Sequence, residues 1–180
     1  VHYTRTDDRF LELSERAAIA NKLKADYFIS VHINAGGGTG FESYIYNGNV
    51  SNATVAYQNV IHAEIMKAIG GVKDRGKERA NYAVLRETKM PALLTENLFI
   101  DNASDAAKLK SEQFLLQVAH GHVQGIVKAF GLKKKAKQQP KEKASDKKLY
   151  RVQVGVFNDP KNAERLAEEL KKKGYPAIIV

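Results

Sequence analysis

The hydrophobic pattern of this chain changes period several times, and each change marks an element. Residues 27–31, Tyr-Phe-Ile-Ser-Val, form a short apolar run between turn signals and predict a buried strand. The run delivers His32 at its C-terminal end, and Gly36-Gly37-Gly38 then opens a loop. Phe41 to Tyr46 alternates Phe, Ser and Ile with Glu, Tyr and Tyr, a strand period ended by the turn pair Asn47-Gly48. Residues 72–81 read as a polar loop, and Tyr82 to Leu85 as a short strand. Ala92 to Thr95 is another buried strand, ending at Glu96.

Helical periods fill the gaps. Ser14 caps a helix to about Lys24, striped by Leu13, Ala17, Ala20 and Leu23. Ser51 caps a second, to about Ile69, with Tyr57, Ile61, Ile65 and Ala68 on one face. Residues 102–110 make a helical turn. Residues 111–130 form a closing helix with Leu115, Ala119, His122, Ile126 and Phe130 on one side. Val1 to Thr4 reads as a strand end and Ile178 to Val180 as an unfinished strand. The expectation is an internal piece of a longer protein, cut at both ends.

Beyond Gly131 the pattern breaks. Residues 132–148 hold eight lysines against Glu142 and Asp146, so +6 of the net +9 sits in this segment. It reads as a solvated linker; a tether to a polyanion is the functional alternative. Leu149 to Phe157 then alternates as a strand, Pro160 starts a helix ended by Gly174, and Pro176 begins another strand. Strand, helix, strand is half of a ferredoxin-like unit.

Composition narrows the chemistry. There is no cysteine, which excludes thiolate metal sites, a Cys nucleophile and disulfides. No apolar run approaches the ~20 residues that span a bilayer, so no transmembrane segment is expected. The basic residues cluster in the linker, and no RNP1 pattern accompanies them, so nucleic acid is not an expected partner. The glycine loop lacks the GxxxxGK[ST] pattern of a phosphate cradle; it reads as a flexible loop that lets substrate approach the backbone. His120 and His122 point about 200° apart on a helix and cannot share one ion. They read as structural, as does His62. Two groups remain. An imidazole at a strand end, His32, can bind a metal, act as a base or fill space. A carboxylate at the end of an apolar strand, Glu96, must find a partner, stay neutral or meet a cation.

Three stretches resemble the zinc-dependent N-acetylmuramoyl-L-alanine amidases. They are Thr4-Arg5-Thr6-Asp7-Asp8 with Arg16 and Ala20-Asn21; Ser30-Val-His32-Ile-Asn34-Ala; and Val84-Leu85-Arg86, Pro91 and Leu94-Thr-Glu96-Asn-Leu-Phe-Ile-Asp-Asn102. Residues 149–180 resemble the first half of a sporulation-related (SPOR) domain through Val152-Gln153-Val154-Gly155-Val156-Phe157. The whole is most similar to wall amidases that act late in sporulation. The resemblance implies an α/β fold, an amidase-type sheet flanked by helices with its N-terminal part missing, followed by half of a SPOR domain. The implied domains are 1–131 amidase, 132–148 linker and 149–180 partial SPOR.

The resemblance further implies a peptidoglycan hydrolase that cleaves the amide between N-acetylmuramic acid and L-alanine with Zn²⁺ as cofactor. His32 matches a zinc-binding histidine, and Glu96 the catalytic glutamate that activates water. Gln153 and Phe157 are the implied peptidoglycan-binding residues. Glycan strands and stem peptides are the partners, and the location is secreted or in the cell wall. Family members use one more histidine and a glutamate as zinc ligands, and both are expected upstream of Val1, so the fragment by itself is expected to be inactive. Leu98 stands where the family usually has glycine, and Asp101 where it usually has serine. The competing reading is a non-catalytic wall-binding protein.

Overall fold

The computed structural model describes residues 1–133, 155, 157–175 and 177. The chain divides into two units, Val1–Lys135 and Ala136–Val180. In the first, the elements run α1 (Leu13–Leu23), β1 (Phe28–Asn34), β2 (Phe41–Tyr46), α2 (Asn52–Ile69), β3 (Asp74–Ala80), α3 (Ala83–Arg86), β4 (Ala92–Phe99), α4 (Ala103–Leu109) and α5 (Glu112–Ala129). Among the described residues the strands form one mixed sheet in the order β1-β4-β2-β3. β1 runs parallel to β4 and β2 to β3, while β2 and β4 are antiparallel.

Strand alternation gives the sheet two different faces. One carries the larger core, where Phe41, Ile45, Leu93 and Leu98 meet Ile61 and Ile65 of α2 and Phe114 and Val118 of α5. The other is covered at one end by Ala20 of α1 and by Val84 and Leu85 of α3, packed on Phe28, Ala92 and Leu94. The remainder of that face is polar. β1 lies at the sheet edge, and its Val31 and Ile33 are exposed.

α2 and α5 approach closely because α5 offers glycine at the contact. A Cβ at Gly121 would lie 2.7 Å from the Ile65 Cα, and one at Gly125 would lie 2.8 Å from the Ile61 Cα. Buried polar groups pin the same helices to the sheet. His62 of α2 accepts from Ser43 through Nδ1 (2.8 Å) and donates from Nε2 to Asp74 (3.0 Å). Gln58 donates to the Ser43 carbonyl at 3.0 Å. On α5, His122 donates from Nδ1 to the Val118 carbonyl (2.7 Å) and accepts from the Thr95 hydroxyl (3.0 Å). Burial lowers the pKa of both imidazoles, which favours the neutral tautomers these bonds need.

Several expectations are corrected. Residues 1–12 contain no strand, so Val1 to Thr4 is not a strand end. α1 starts at Leu13, with Glu12 at the cap position and the Glu15 carboxylate accepting the Glu12 N–H at 2.8 Å, so Ser14 is not the cap. Leu13 and Leu23 are exposed, and only Ala17 and Ala20 of that stripe are buried. The polar stretch 72–81 contains a strand, β3, at the far edge of the sheet. Its backbone bonds to β2 form it, and no side-chain period is needed when both faces are open. Residues 83–86 are helical, with Val84 and Leu85 buried; so short an apolar run does not separate helix from strand by period. β1 and β4 continue to Asn34 and Phe99, so His32 and Glu96 lie within strands. The buried side of α5 is Phe114, Val118, Gly121, His122 and Gly125, while Leu115 and Ala119 are exposed. Glycine is invisible to a hydrophobic stripe although it makes the closest contact here.

In the second unit, α6 (Pro160–Lys172) starts at Pro160 as expected. The Asp159 carboxylate accepts the Lys161 N–H at 2.9 Å. The expected strand residues 149–154 and 178–180 lie outside the described residues.

Gly125→Ala is expected to force α5 away from Ile61 and cost roughly 1–3 kcal/mol, read as a lower midpoint in urea unfolding. A substitution at exposed Gln124 should leave that midpoint unchanged within about 0.5 kcal/mol.

Candidate active site

The polar face is organised by strand register. His32 of β1 pairs with Glu96 of β4, and Glu96 pairs with Glu42 of β2. Paired residues on neighbouring strands share a face, with strands ~4.8 Å apart. His32, Glu96 and Glu42 therefore form one row across three strands.

Each member has a different environment. The Ser30 hydroxyl lies 2.8 Å from His32 Nε2. Burial, and next the positive Arg16, lower the His32 pKa, so this imidazole is neutral at neutral pH. Glu42 is buried with both oxygens engaged. Asn34 donates to Oε1 at 2.6 Å and Arg75 Nε to Oε2 at 2.7 Å, while the Arg75 guanidinium lies 4.9 Å from the Phe99 ring centroid. Glu96 is left without such help: its Oε2 is buried and has no hydrogen-bond partner among the described residues. Burial, and then the neighbouring Glu42, push its pKa up to about 7. Two carboxylates side by side thus differ in kind. One is engaged by Asn34 and paired with Arg75; the other can exchange a proton near neutrality.

The backbone beyond Glu96 is irregular. The register between β1 and β4 shifts after His32, and Asn34 pairs with Phe99. Leu98, inside this bulge, has φ 70°, a conformation glycine adopts at less cost. Its side chain is buried in the core. Asp101 accepts the N–H groups of Gly36 and Gly37 at 2.7 and 2.8 Å. Asp105 accepts from the Thr39 hydroxyl (2.9 Å), the Gly40 N–H (2.9 Å) and the Phe99 N–H (3.1 Å). The glycine loop is therefore tied to the start of α4, and these amides are not open to a substrate, contrary to the expectation of a free loop. Along the polar face Tyr82 packs on Tyr44 with ring centroids 5.3 Å apart.

The structure brings His32 and Glu96 together as neighbours on one face. Of the other two sequence-predicted residues, Phe157 is exposed, and Gln153 lies outside the described residues. Sequence reasoning passed over Glu42 and Arg75. Glu42 carried a signal, since it opens the Glu-Tyr-Tyr side of an alternating strand; Arg75 carried none, because its strand reads as loop. Among the described residues no group of three His, Asp or Glu side chains converges as a metal site.

Asp105→Ala would orphan two backbone N–H groups and a hydroxyl, and is expected to cost roughly 3–5 kcal/mol in chemical denaturation. Glu96 gives a pH-dependent test on the metal-free chain. Folding raises its pKa from 4.5 to about 7. Its contribution to stability is therefore complete below about pH 4.5 and is lost as pH rises through about 7. Glu96→Gln should raise the unfolding midpoint at about pH 8, by an amount on the order of 2 kcal/mol, and leave it little changed near pH 4.5.

Comparison with known proteins places the chain in a family. Residues 1–128 match the N-acetylmuramoyl-L-alanine amidase family Amidase_3, and residues 110–180 match the SPOR domain. The second match takes in α5, which packs on α2 in the first unit. The N-acetylmuramoyl-L-alanine amidase CwlM of Bacillus licheniformis is 47% identical over 98% of this chain and 65% of its own length. The sporulation-specific N-acetylmuramoyl-L-alanine amidase of Bacillus subtilis gives the same three figures. The chain thus spans about 65% of the length of these relatives. The catalytic domain of CwlV, an N-acetylmuramoyl-L-alanine amidase from Bacillus (Paenibacillus) polymyxa, superposes with a TM-score of 0.67 at 40% identity, covering 72% of each chain. On the sheet, the His32–Glu96 row and these matches, the chain belongs to the N-acetylmuramoyl-L-alanine amidase family Amidase_3 and carries a SPOR domain match at its C-terminal end.

Proposed function

We propose that this chain is part of a peptidoglycan amidase that hydrolyses the bond between N-acetylmuramic acid and L-alanine. The observation that carries the reading is Glu96: a half-buried carboxyl whose Oε2 is buried and unpartnered among the described residues, beside a neutral histidine, with a pKa of about 7. Such a group accepts a proton from an attacking water and can return it to the leaving amine of L-alanine. Glu42, paired with Arg75, helps raise the pKa of Glu96 and so makes it basic enough for that work.

The family is typically zinc-dependent, and these residues fit a zinc ion. His32 is neutral, has one ring nitrogen at the Ser30 hydroxyl and keeps the other for a metal. His32 is the ligand these residues would supply. Zinc, when bound, polarises a carbonyl and acidifies water. Residues 1–131 form the catalytic part, 132–148 a lysine-rich linker and 149–180 part of a SPOR domain. Gln153 and Phe157 contact glycan strands, and the protein acts outside the cytoplasm, in the wall of a sporulating cell.

In the zinc-loaded full-length enzyme, Glu96→Ala is expected to lower amide hydrolysis at least ~10²-fold with an unchanged circular dichroism spectrum. Undiminished hydrolysis would remove Glu96 from the role of base. A second reading, a non-catalytic wall-binding protein, is favoured by the lack of a three-ligand group among the described residues. Metal analysis separates the two: the amidase reading expects one zinc per full-length chain and its loss in His32→Ala, the binding reading none.

A further inference from the structure

Arg75 is more elaborately placed than a counter-ion needs to be. A buried Glu42 requires a cation, and any lysine long enough would serve. Arg75 instead meets Glu42 through Nε, the inner N–H of its fork, at 2.7 Å. Its guanidinium also lies 4.9 Å from the Phe99 ring centroid. Phe99 is itself immobilised: its N–H is held by Asp105, and a Cβ at Gly38 would meet its ring at 2.4 Å. Two separate contacts thus restrain the guanidinium. Among the described residues the two terminal amino groups have no hydrogen-bond partner, and the side chain is 33% exposed. A planar fork, fixed in place with its outer edge open, is the arrangement that binds a carboxylate through two parallel hydrogen bonds.

Its position says which carboxylate. Arg75 reaches back from β3 to Glu42, which pairs with Glu96 on the adjoining strand. One strand step is ~4.8 Å, so the open edge of the fork lies on the order of 10 Å from the Glu96 carboxyl. An extended peptide advances ~3.5 Å per residue. With the scissile amide at Glu96, the residue that follows L-alanine brings an acidic group to that distance. We propose that Arg75 is a substrate-binding residue that selects stem peptides with a free carboxylate on the residue after L-alanine, and that Glu42 and Phe99 position it. The stem then crosses β2 towards β3. This assignment rests on the amidase reading above.

The test uses the zinc-loaded full-length enzyme and two soluble muropeptides. One carries L-alanine followed by a glutamyl residue with a free α-carboxylate; the other is its α-carboxamide. The expected result is a kcat/KM at least about tenfold higher for the carboxylate, expressed in KM, and loss of the preference in Arg75→Lys. Lysine keeps the charge beside Glu42 and removes the fork, and a thermal melt checks that the variant is folded. The Glu96→Gln protein supplies a readout without turnover. By calorimetry it should bind the carboxylate peptide more tightly than the carboxamide, and adding Arg75→Lys should equalise them. Cleavage of both substrates at equal rates, or a preference that survives Arg75→Lys, overturns the assignment and leaves the amidase reading standing. Failure to cleave either substrate overturns both.

Discussion

Two carboxylates cannot sit side by side in a partly dry sheet and both carry a charge without help. Glu42 and Glu96 are cross-strand neighbours, and only Glu42 has partners. Asn34 and Arg75 engage its two oxygens, and its nearness adds to the burial that raises the pKa of Glu96. The site follows from that asymmetry. It supplies a carboxylate paired with Arg75 and, next to it, a group that changes protonation near neutral pH. His32 completes the row with a neutral ring, so one face presents an imidazole and a carboxyl that titrates near neutrality in adjacent positions.

The surrounding structure keeps the row in place. Asn97 donates to the carbonyl of His32 at 2.9 Å, fastening β1 to β4 at the level of the site. The bulge at Leu98 follows immediately, and Asp105 gathers the backbone of Phe99 and Gly40 on its far side. Phe99 is thereby fixed under Arg75, which holds Glu42. A chain of contacts thus runs from the loop clamp at Asp105 to the carboxylate beside Glu96. Strain at Leu98 is offset by burying its side chain.

The opposite face contains an array that resembles catalytic machinery without being any. Ser43, His62 and Asp74 are bonded in the order of a nucleophilic triad. Ser43 is completely buried beneath α2, and its hydroxyl lies 3.4 Å from the Gln58 amide. No substrate reaches it. The array anchors α2 to β2 and β3, and Thr95 with His122 does the same for α5. Buried polar groups of this kind fix which helix rests where, because each bond is met in one arrangement only.

Local sequence was sufficient for β2, α2 and α6, since alternation, a capping serine and an N-terminal proline act within a few residues. It was also sufficient to single out His32 and Glu96, the polar side chains that close two apolar runs. It could not show β3, whose residues carry no period, or the glycine contact of α5, since both depend on the neighbour and not on the segment. Nor could it reveal that Glu42 is the cross-strand neighbour of Glu96 and that Arg75 pairs with it. Those residues lie 33 and 54 positions away in register or contact, and a carboxyl's protonation is set by what surrounds it in space. The sequence by itself determined which groups could do chemistry. Only the tertiary structure decided their order along the row, because strand pairing brings distant charges within reach and excludes the water that would screen them.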